Sequence, residues 1–594
     1  MTAKYVVGID LGTTNCVLAY APLEGDAPQV TLLAVPQLVA ASTIDKRESL
    51  PSFLYLAPEH ESGGALDLPW AEGRKFSAGE HARRQGAEMP DRTVVAAKSW
   101  LCHSRVDRRA PLLPHGAPDD VQKVSPLTAS QRYLEHLAAA WQAEFPDAPI
   151  AEQQVVLTVP ASFDAAAREL TREAALAAGL PAGLVLLEEP QAAVYSWLAE
   201  RGDDWRKQLS AGDRVLVCDV GGGTTDLTLV DVAETDGELS LERLAVGDHL
   251  LVGGDNMDLA LAHQVAGLFA EQGVMLDAWQ SVSLWHSCRD AKETLLAPDA
   301  PESHSISVLG RGSKLIGGTV SVDVPRSMAE QLLVGGFFPE CTLTDRPKKR
   351  RVSGFQEIGL PFESDVAITR HLAAFLAAHA DDGQGAAYPT HVLFNGGVFK
   401  ADVLRKLVLE IIGKWSGDAP PASELPGGRD LDNAVARGAA YYGWTKEHGG
   451  VRIRGGVARS YYVGIESAGL AIPGMPRPMR ALCVVPFGME EGTSVDVPSS
   501  EIGLVLGEPA HFRFFSSAVR NSDQPGNVLP TIDEEQLTET DPLEATLETT
   551  ADSDDSYVPV RFQSRITELG MFELWCVSAT SDERWKLEFN VREQ

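Results

Sequence analysis

The sequence predicts an α/β fold built from a duplicated unit whose two halves face each other across a cleft, followed by a β-rich C-terminal region. Three features point there. A strand that ends in aspartate and turns through glycine and threonine into a second strand occurs twice, as VVGIDLGTTNCVLA (Val6 to Ala19) and VLVCDVGGGTTDLTLV (Val215 to Val230). Strand, turn and helix signals alternate after the first copy. Beyond Gly456 the pattern changes to short apolar or alternating runs separated by turn residues.

The repeated hairpin carries a chemistry. Gly12 and the run Gly221, Gly222, Gly223 let the backbone approach an anion closely, and Thr13, Thr14, Thr224 and Thr225 add hydroxyl donors. Asp10 and Asp219 end their strands where a carboxylate would repel phosphate directly, but where it can hold a hydrated magnesium ion that bridges phosphates. One such turn is an ordinary β-hairpin as readily as a phosphate cradle. Two matching copies favour the cradle, with a nucleotide triphosphate gripped between them. No GxxxxGK[ST] element occurs, which argues against a P-loop fold.

Composition sets the outer bounds. The 594 residues, 44% of them hydrophobic, suffice for several cores and for two or more domains. A formal net charge of −32 argues against a nucleic-acid or anionic-membrane surface. The one basic run, RPKKRR (Arg346 to Arg351), reads as a solvated loop rather than a targeting signal. Seven scattered cysteines without CxxC pairs predict a reduced, cytoplasmic protein. Neither a leader nor a stretch long enough to cross a bilayer is evident.

In the first half, VVLTVPASFDAAARELTREAALAAG (Val155 to Gly179) reads as a strand, a turn at Pro160, and a helix capped by Asp164 and ended by Gly179. The following GLVLLEEPQAAVYSWLAE places Glu189 and Pro190 where a strand gives way to a helix. A carboxylate there points to the crevice at the sheet's end, although such a residue is more often only a helix start.

GIDLGTTNC, TVPASFD, EEPQAA and CDVGGGTTD, together with GGDNMD, DAKETL, NGG and DNAVARGAA, resemble the nucleotide-binding domain of the heat-shock protein 70 chaperone family, within the actin-like ATPase superfamily. The resemblance spans roughly residues 4 to 442. It implies an actin-like ATPase fold with two lobes around a nucleotide cleft, a β-sandwich-like domain after it, and ATP/ADP with Mg2+ as cofactors. Asp10 and Asp219 would hold the metal through water. Gly12, Thr13, Thr14, Asn15, Gly221, Gly222, Gly223, Thr224 and Thr225 would surround the phosphates. Lys98, Glu189 and Asp226 match residues that position the attacking water or complete the hydrolytic site, and Pro160 and Arg168 match switch and relay positions. Gly253, Gly254, Lys292, Gly396 and Gly397 match the nucleoside side. There the chain departs from the family: Arg289 and Glu293 carry the charges in exchanged order, and Leu296 and Lys400 replace the usual serine and arginine. An i,i+4 pair between Arg289 and Glu293 could still form, while base selectivity would be weakened or altered.

The resemblance suggests domains at 1–443 and 459–594 with a linker at 444–458, in which Val451 to Ile453 could add a strand to the ATPase sheet edge. Seven to nine strands are expected in the second domain, with no helical lid after them. Residues 328–366, with Phe337 and Phe338, read as a loop or partner surface in which a buried role for the phenylalanines is the better reading. The acidic segment Asp533 to Asp555 reads as a mobile loop. Three functions compete. The leading one is a chaperone-like ATPase acting on polypeptide clients or a partner chaperone, with a J-domain-type co-chaperone. The others are a non-catalytic regulator or nucleotide-exchange-type partner of another chaperone, and a small-molecule kinase of the same superfamily.

Overall fold

The computed structural model describes residues 3–587 except 59–63, 104–105, 236–237, 310–318, 349–359, 381–385, 418, 428–429, 455, 467–477, 491, 506–508, 534–535, 547–556 and 568–570. The elements that build the site are β1 (Tyr5–Leu11), β2 (Asn15–Pro22), α1 (Ala97–Leu101), β3 (Gln154–Val159), α2 (Ala165–Ala177), β4 (Val185–Glu188), α3 (Glu189–Arg201), β5 (Arg214–Val220), β6 (Thr225–Thr235), β7 (Glu238–Val246), α4 (Gly254–Glu271), α5 (Ala278–Leu295), β8 (His391–Asn395), α6 (Ala434–His448) and β9 (Ile453–Arg454).

Both glycine hairpins form, and each lies in its own six-stranded sheet. In the first sheet β1 pairs antiparallel with β2, while its other side pairs parallel with β3, which pairs parallel with β4. The second sheet repeats this arrangement: β5 pairs antiparallel with β6 and parallel with β8. Parallel strands buried on both faces read as continuous apolar runs, as in VVLTV and VLVCDV.

Helix α6 is wedged between the first sheet and α3, and glycines make the wedge fit. A Cβ on Gly438 would lie 1.7 Å from the Ala192 carbonyl oxygen, and one on Gly8 would lie 2.3 Å from the Ala440 nitrogen. One apolar cluster draws on both sheets here, joining Val6, Val156 and Leu187 to Val215, Val217, Val230 and Leu393 through Tyr195, Trp197 and Tyr442. The helix continues to His448, four residues past the expected start of the linker at 444. After it, β9 pairs parallel with the edge strand β7, Leu241 opposite Ile453 and Glu242 opposite Arg454. The expected strand addition therefore occurs, at Ile453–Arg454 rather than Val451 to Ile453.

Beyond β9 the described strands form an antiparallel sheet of five and another of four. Tyr461, Leu482 and Phe514 of the first share a core with Val560, Leu574 and Trp585 of the second. Two expectations are corrected. Thr538–Thr546, within the acidic segment read as a loop, is a strand paired antiparallel with Pro509–Ser517. Its charge is met across the ladder, where Arg513 Nη2 donates to Glu539 Oε2 at 2.7 Å. Residues 547–555 of that segment lie outside the described residues. Likewise, residues 328–337 are helical rather than loop, in consecutive turns from Arg326 to Phe337, and Phe337 and Phe338 are buried in the core of the second sheet. The basic run is described only from Arg346 to Lys348, in irregular structure. All seven cysteines are free thiols. Among the described residues no helix is long and apolar enough to cross a membrane.

Candidate nucleotide site

The tips of the two hairpins meet. A Cβ on Gly222 would lie 2.0 Å from Thr14 Oγ1, and one on Gly223 would lie 3.0 Å from Thr13 Cγ2. Only glycine allows this approach of one turn to the other. Between the sheets lies a cavity of about 570 Å³, lined by Asp10, Gly12, Thr13, Thr14, Asn15, Lys98, Glu189, Asp219, Gly221, Gly222, Thr224, Asp226, Gly254, Lys292, Gly396 and Gly397 among others. That volume falls in the range of small-ligand and cofactor sites.

Most of the residues expected to hold the nucleotide are thus brought to one place, but three are not. Thr225 is fully buried behind the hairpin and its Oγ1 donates to the Val252 carbonyl at 2.8 Å. The paired β6 ladder turns this threonine away from the cleft, so it cannot be a cavity donor. Gly253 and Gly223 support the turns from outside, Gly253 so tightly that a Cβ would lie 2.6 Å from the Gly222 carbonyl oxygen. Pro160 and Arg168 lie away from the cavity, and Arg168 Nη2 pairs with Glu188 Oε1 at 2.8 Å.

The acidic groups are held by their strands. Thr158 Oγ1 on β3 donates to Asp10 Oδ1 at 3.2 Å, and Asn395 Nδ2 at the end of β8 donates to Asp219 Oδ2 at 2.7 Å. Asn395 stands opposite Asp219 in parallel register, which explains why it reaches the carboxylate. Lys98, on the short helix α1, is ion-paired with Glu189 at the start of α3. The residue that precedes α1, Ala96, has φ 52, a left-handed conformation costly for alanine, and it sets the direction of the turn that delivers Lys98.

Charge in the cavity is unbalanced. Burial pushes up the carboxyls of Asp10, Glu189 and Asp219, the last to about 7, and the buried Lys98 ammonium lies beside Asp10 and Glu189. Burial works against the charge on Lys98, but Glu189 and Asp10 beside it outweigh that and keep it protonated. Excess buried carboxylate charge beside glycine-lined backbone is the donor set a hard divalent cation relieves. Thr14 Oγ1 is buried in the same cavity without a hydrogen-bond partner, as expected of a donor meant for a ligand oxygen. These residues fit a magnesium–phosphate group.

The nucleoside side departs from expectation. Arg289 does not pair with Glu293. It reaches across to α4, where it bonds Asp255 and where its Nε lies 3.1 Å from Asp258 Oδ2, while Lys292 Nζ lies 2.6 Å from Asp258 Oδ1. Two carboxylates on a neighbouring helix, Asp258 fully buried, are stronger partners than an exposed glutamate one turn away. Glu293, Leu296 and Lys400 all line the cavity, Lys400 paired with Asp432.

Sequence reading missed several contributors. Asn395 opens the NGG motif and Ser162 lies within TVPASFD, both noted without a role for these side chains, whereas His249 gave no signal, because it acts through contacts between distant segments. Ser162 Oγ donates to Asp226 Oδ1 at 2.7 Å and lies 2.8 Å from His249 Nδ1.

A mixed α/β fold with a cavity of this size and lining suits a nucleotide-sized ligand. The family model described as Hsp70 protein matches residues 72–298, so this segment is similar to that family. The matched segment contains Lys98, the TVPASFD and EEPQAA segments and the whole second hairpin.

Proposed function

We propose that this chain is an ATP-hydrolysing chaperone-like protein whose nucleotide state controls the binding of a polypeptide or partner chaperone. The observation that carries the reading is the meeting of two glycine–threonine hairpins over Asp10, Asp219 and Glu189, with Lys98 buried among them. In this reading the two sheets are the lobes of an actin-like ATPase domain over residues 1–443, joined by 444–458 to a substrate-binding-like β domain over 459–594.

The backbone of Gly12, Gly221 and Gly222, with Thr13, Thr14 and Thr224, would hold the phosphates, and Asp10 and Asp219 the Mg2+ ion through water. The ion, when bound, neutralises phosphate charge. Lys98, oriented by Glu189, would place the attacking water in line, and Asp226 would accept its proton. Positioning and neutralisation suffice, so no covalent intermediate is needed.

Communication with the β domain would run through β9 and the relay at Pro160 and Arg168. Arg168 and Arg243 both bind Glu188, the neighbour of Glu189, and Arg243 also donates to the Gly456 carbonyl. A chain of ion pairs thus links the linker to the residue beside the proposed water-positioning glutamate. Truncation after residue 449 tests this: the reading expects a changed hydrolysis rate or ATP affinity, and unchanged values would remove the coupling. The β domain's affinity for a labelled extended peptide should differ between ATP and ADP, and equal affinities would exclude nucleotide control of polypeptide binding.

A further inference from the structure

We infer that Ser162 and His249 are positioning residues for hydrolysis, a two-step hydrogen-bonded relay that fixes the carboxylate of Asp226 in the nucleotide cavity. The inference rests on the proposed hydrolytic role of Asp226 and extends it to two residues outside the cavity lining.

Three distant segments meet to make the relay. Ser162 lies in the turn between β3 and α2, where the Phe163 amide donates to the Pro160 carbonyl at 3.2 Å. Asp226 is on β6, and His249 is on the loop between β7 and α4. Ser162 Oγ lies 2.7 Å from Asp226 Oδ1 and 2.8 Å from His249 Nδ1. Hydrogen-bond inventory fixes the direction. Asp226, held ionised, only accepts, so the one hydroxyl proton of Ser162 goes to it, and His249 Nδ1 must donate to the serine oxygen. The direct distance from His249 Nδ1 to Asp226 Oδ1 is 3.6 Å, too long for a hydrogen bond, so the serine is the bridge.

The surroundings support a fixed imidazole. Phe163 meets its ring edge-on at 6.0 Å between centroids, and the Cys102 thiol stands beside it just after the helix that carries Lys98. Burial works against a charge on His249, yet Cys102 and Asp226 raise it to about 10, and the His249 and Ser162 contacts hold Asp226 below the usual carboxylate range despite its burial. With Oδ1 engaged by the relay, the other carboxylate oxygen is left for the cavity that Asp226 lines. Mobility of that group would be costly, because a proton acceptor works only within hydrogen-bond reach of the water.

The test uses the full chain with Mg–ATP: single-turnover hydrolysis and calorimetric ATP affinity for Ser162→Ala, His249→Ala, the double variant, and His249→Asn, whose amide can replace the Nδ1 donor. The relay predicts that each alanine variant loses about tenfold in hydrolysis with ATP affinity within about twofold. The double variant should lose no more than either single one, and His249→Asn should recover most of the rate. Wild-type rates in both single variants, multiplicative losses in the double, or equal losses for His249→Asn and His249→Ala would overturn it. A general packing role would lower ATP affinity and rate together in all four. Wild-type chain that binds Mg–ATP without turnover would overturn both the relay and the hydrolytic reading while leaving nucleotide binding in place.

Discussion

At the scale of single residues the site depends on atoms that no other side chain could spare or replace. Gly222 is the sharpest case, since any Cβ there meets Thr14 Oγ1 at 2.0 Å and a β-branched threonine cannot swing clear without moving its hydroxyl. Gly222→Ala is therefore expected to weaken ATP binding at least about tenfold by calorimetry, close to 1.4 kcal/mol, with the fold retained by circular dichroism. A buried histidine far from the cavity makes a different prediction. Burial, and to a lesser degree Arg74, lower His136 to about 4, while its contact with the Pro36 carbonyl at 2.9 Å opposes them. The imidazole is neutral when folded and takes up its proton more readily when unfolded. Its stability contribution is thus present above the unfolded value near 6.5 and lost as pH falls towards about 4, by roughly 3 kcal/mol over that window. Denaturant titrations from pH 7 to 4 should show a shallower decline for His136→Gln than for wild type, and parallel declines would contradict the assignment.

Among the elements, the ones legible in the sequence are those whose signals are local. Asp164 caps α2 by accepting from the Ala167 amide at 2.7 Å, and Gly179 follows the helix with φ 86, as the residue pattern alone implied. Both hairpins were readable because each is one continuous strand–turn–strand. What escaped depended on partners distant in sequence. The acidic strand at 538–546 reads as a loop by composition because its charge is met by Arg513 on the neighbouring strand, and the helical turns at 326–337 are obscured by glycines that helix packing overrides. Strand β9 is the element on which communication would depend. Arg243 has no exposed side-chain surface and joins Glu188 to the Gly456 carbonyl beside β9. Removing its charge in Arg243→Met should cost about 2 kcal/mol in chemical denaturation, since Arg168 still partners Glu188 but one buried charged contact and one carbonyl lose their donor. A cost near zero would mean that this junction does not tie the linker to the sheet.

For the whole molecule, the cavity belongs to neither sheet alone. Asp10 and Thr13 come from one and Asp219 and Gly222 from the other, so a ligand held by both stabilises their association as well as each half. Mg–ATP at 100 times its dissociation constant should stabilise the chain by about 2.7 kcal/mol, and chelation of the metal should remove most of that gain. The part of this cavity proposed to hold phosphate was legible because it is written twice in glycine, threonine and aspartate. Its nucleoside side was less so, because Arg289 chooses Asp255 and Asp258 on another helix over the glutamate one turn away. The most direct test of the central claim is single-turnover hydrolysis of γ-labelled ATP by wild type and Lys98→Ala, with and without Mg2+. The account predicts metal-dependent release of one phosphate per chain by wild type, and a variant that binds ATP with similar affinity but hydrolyses it at least about 100-fold more slowly. Equal rates in wild type and Lys98→Ala, or transfer of the label to a small molecule instead of water, would contradict it.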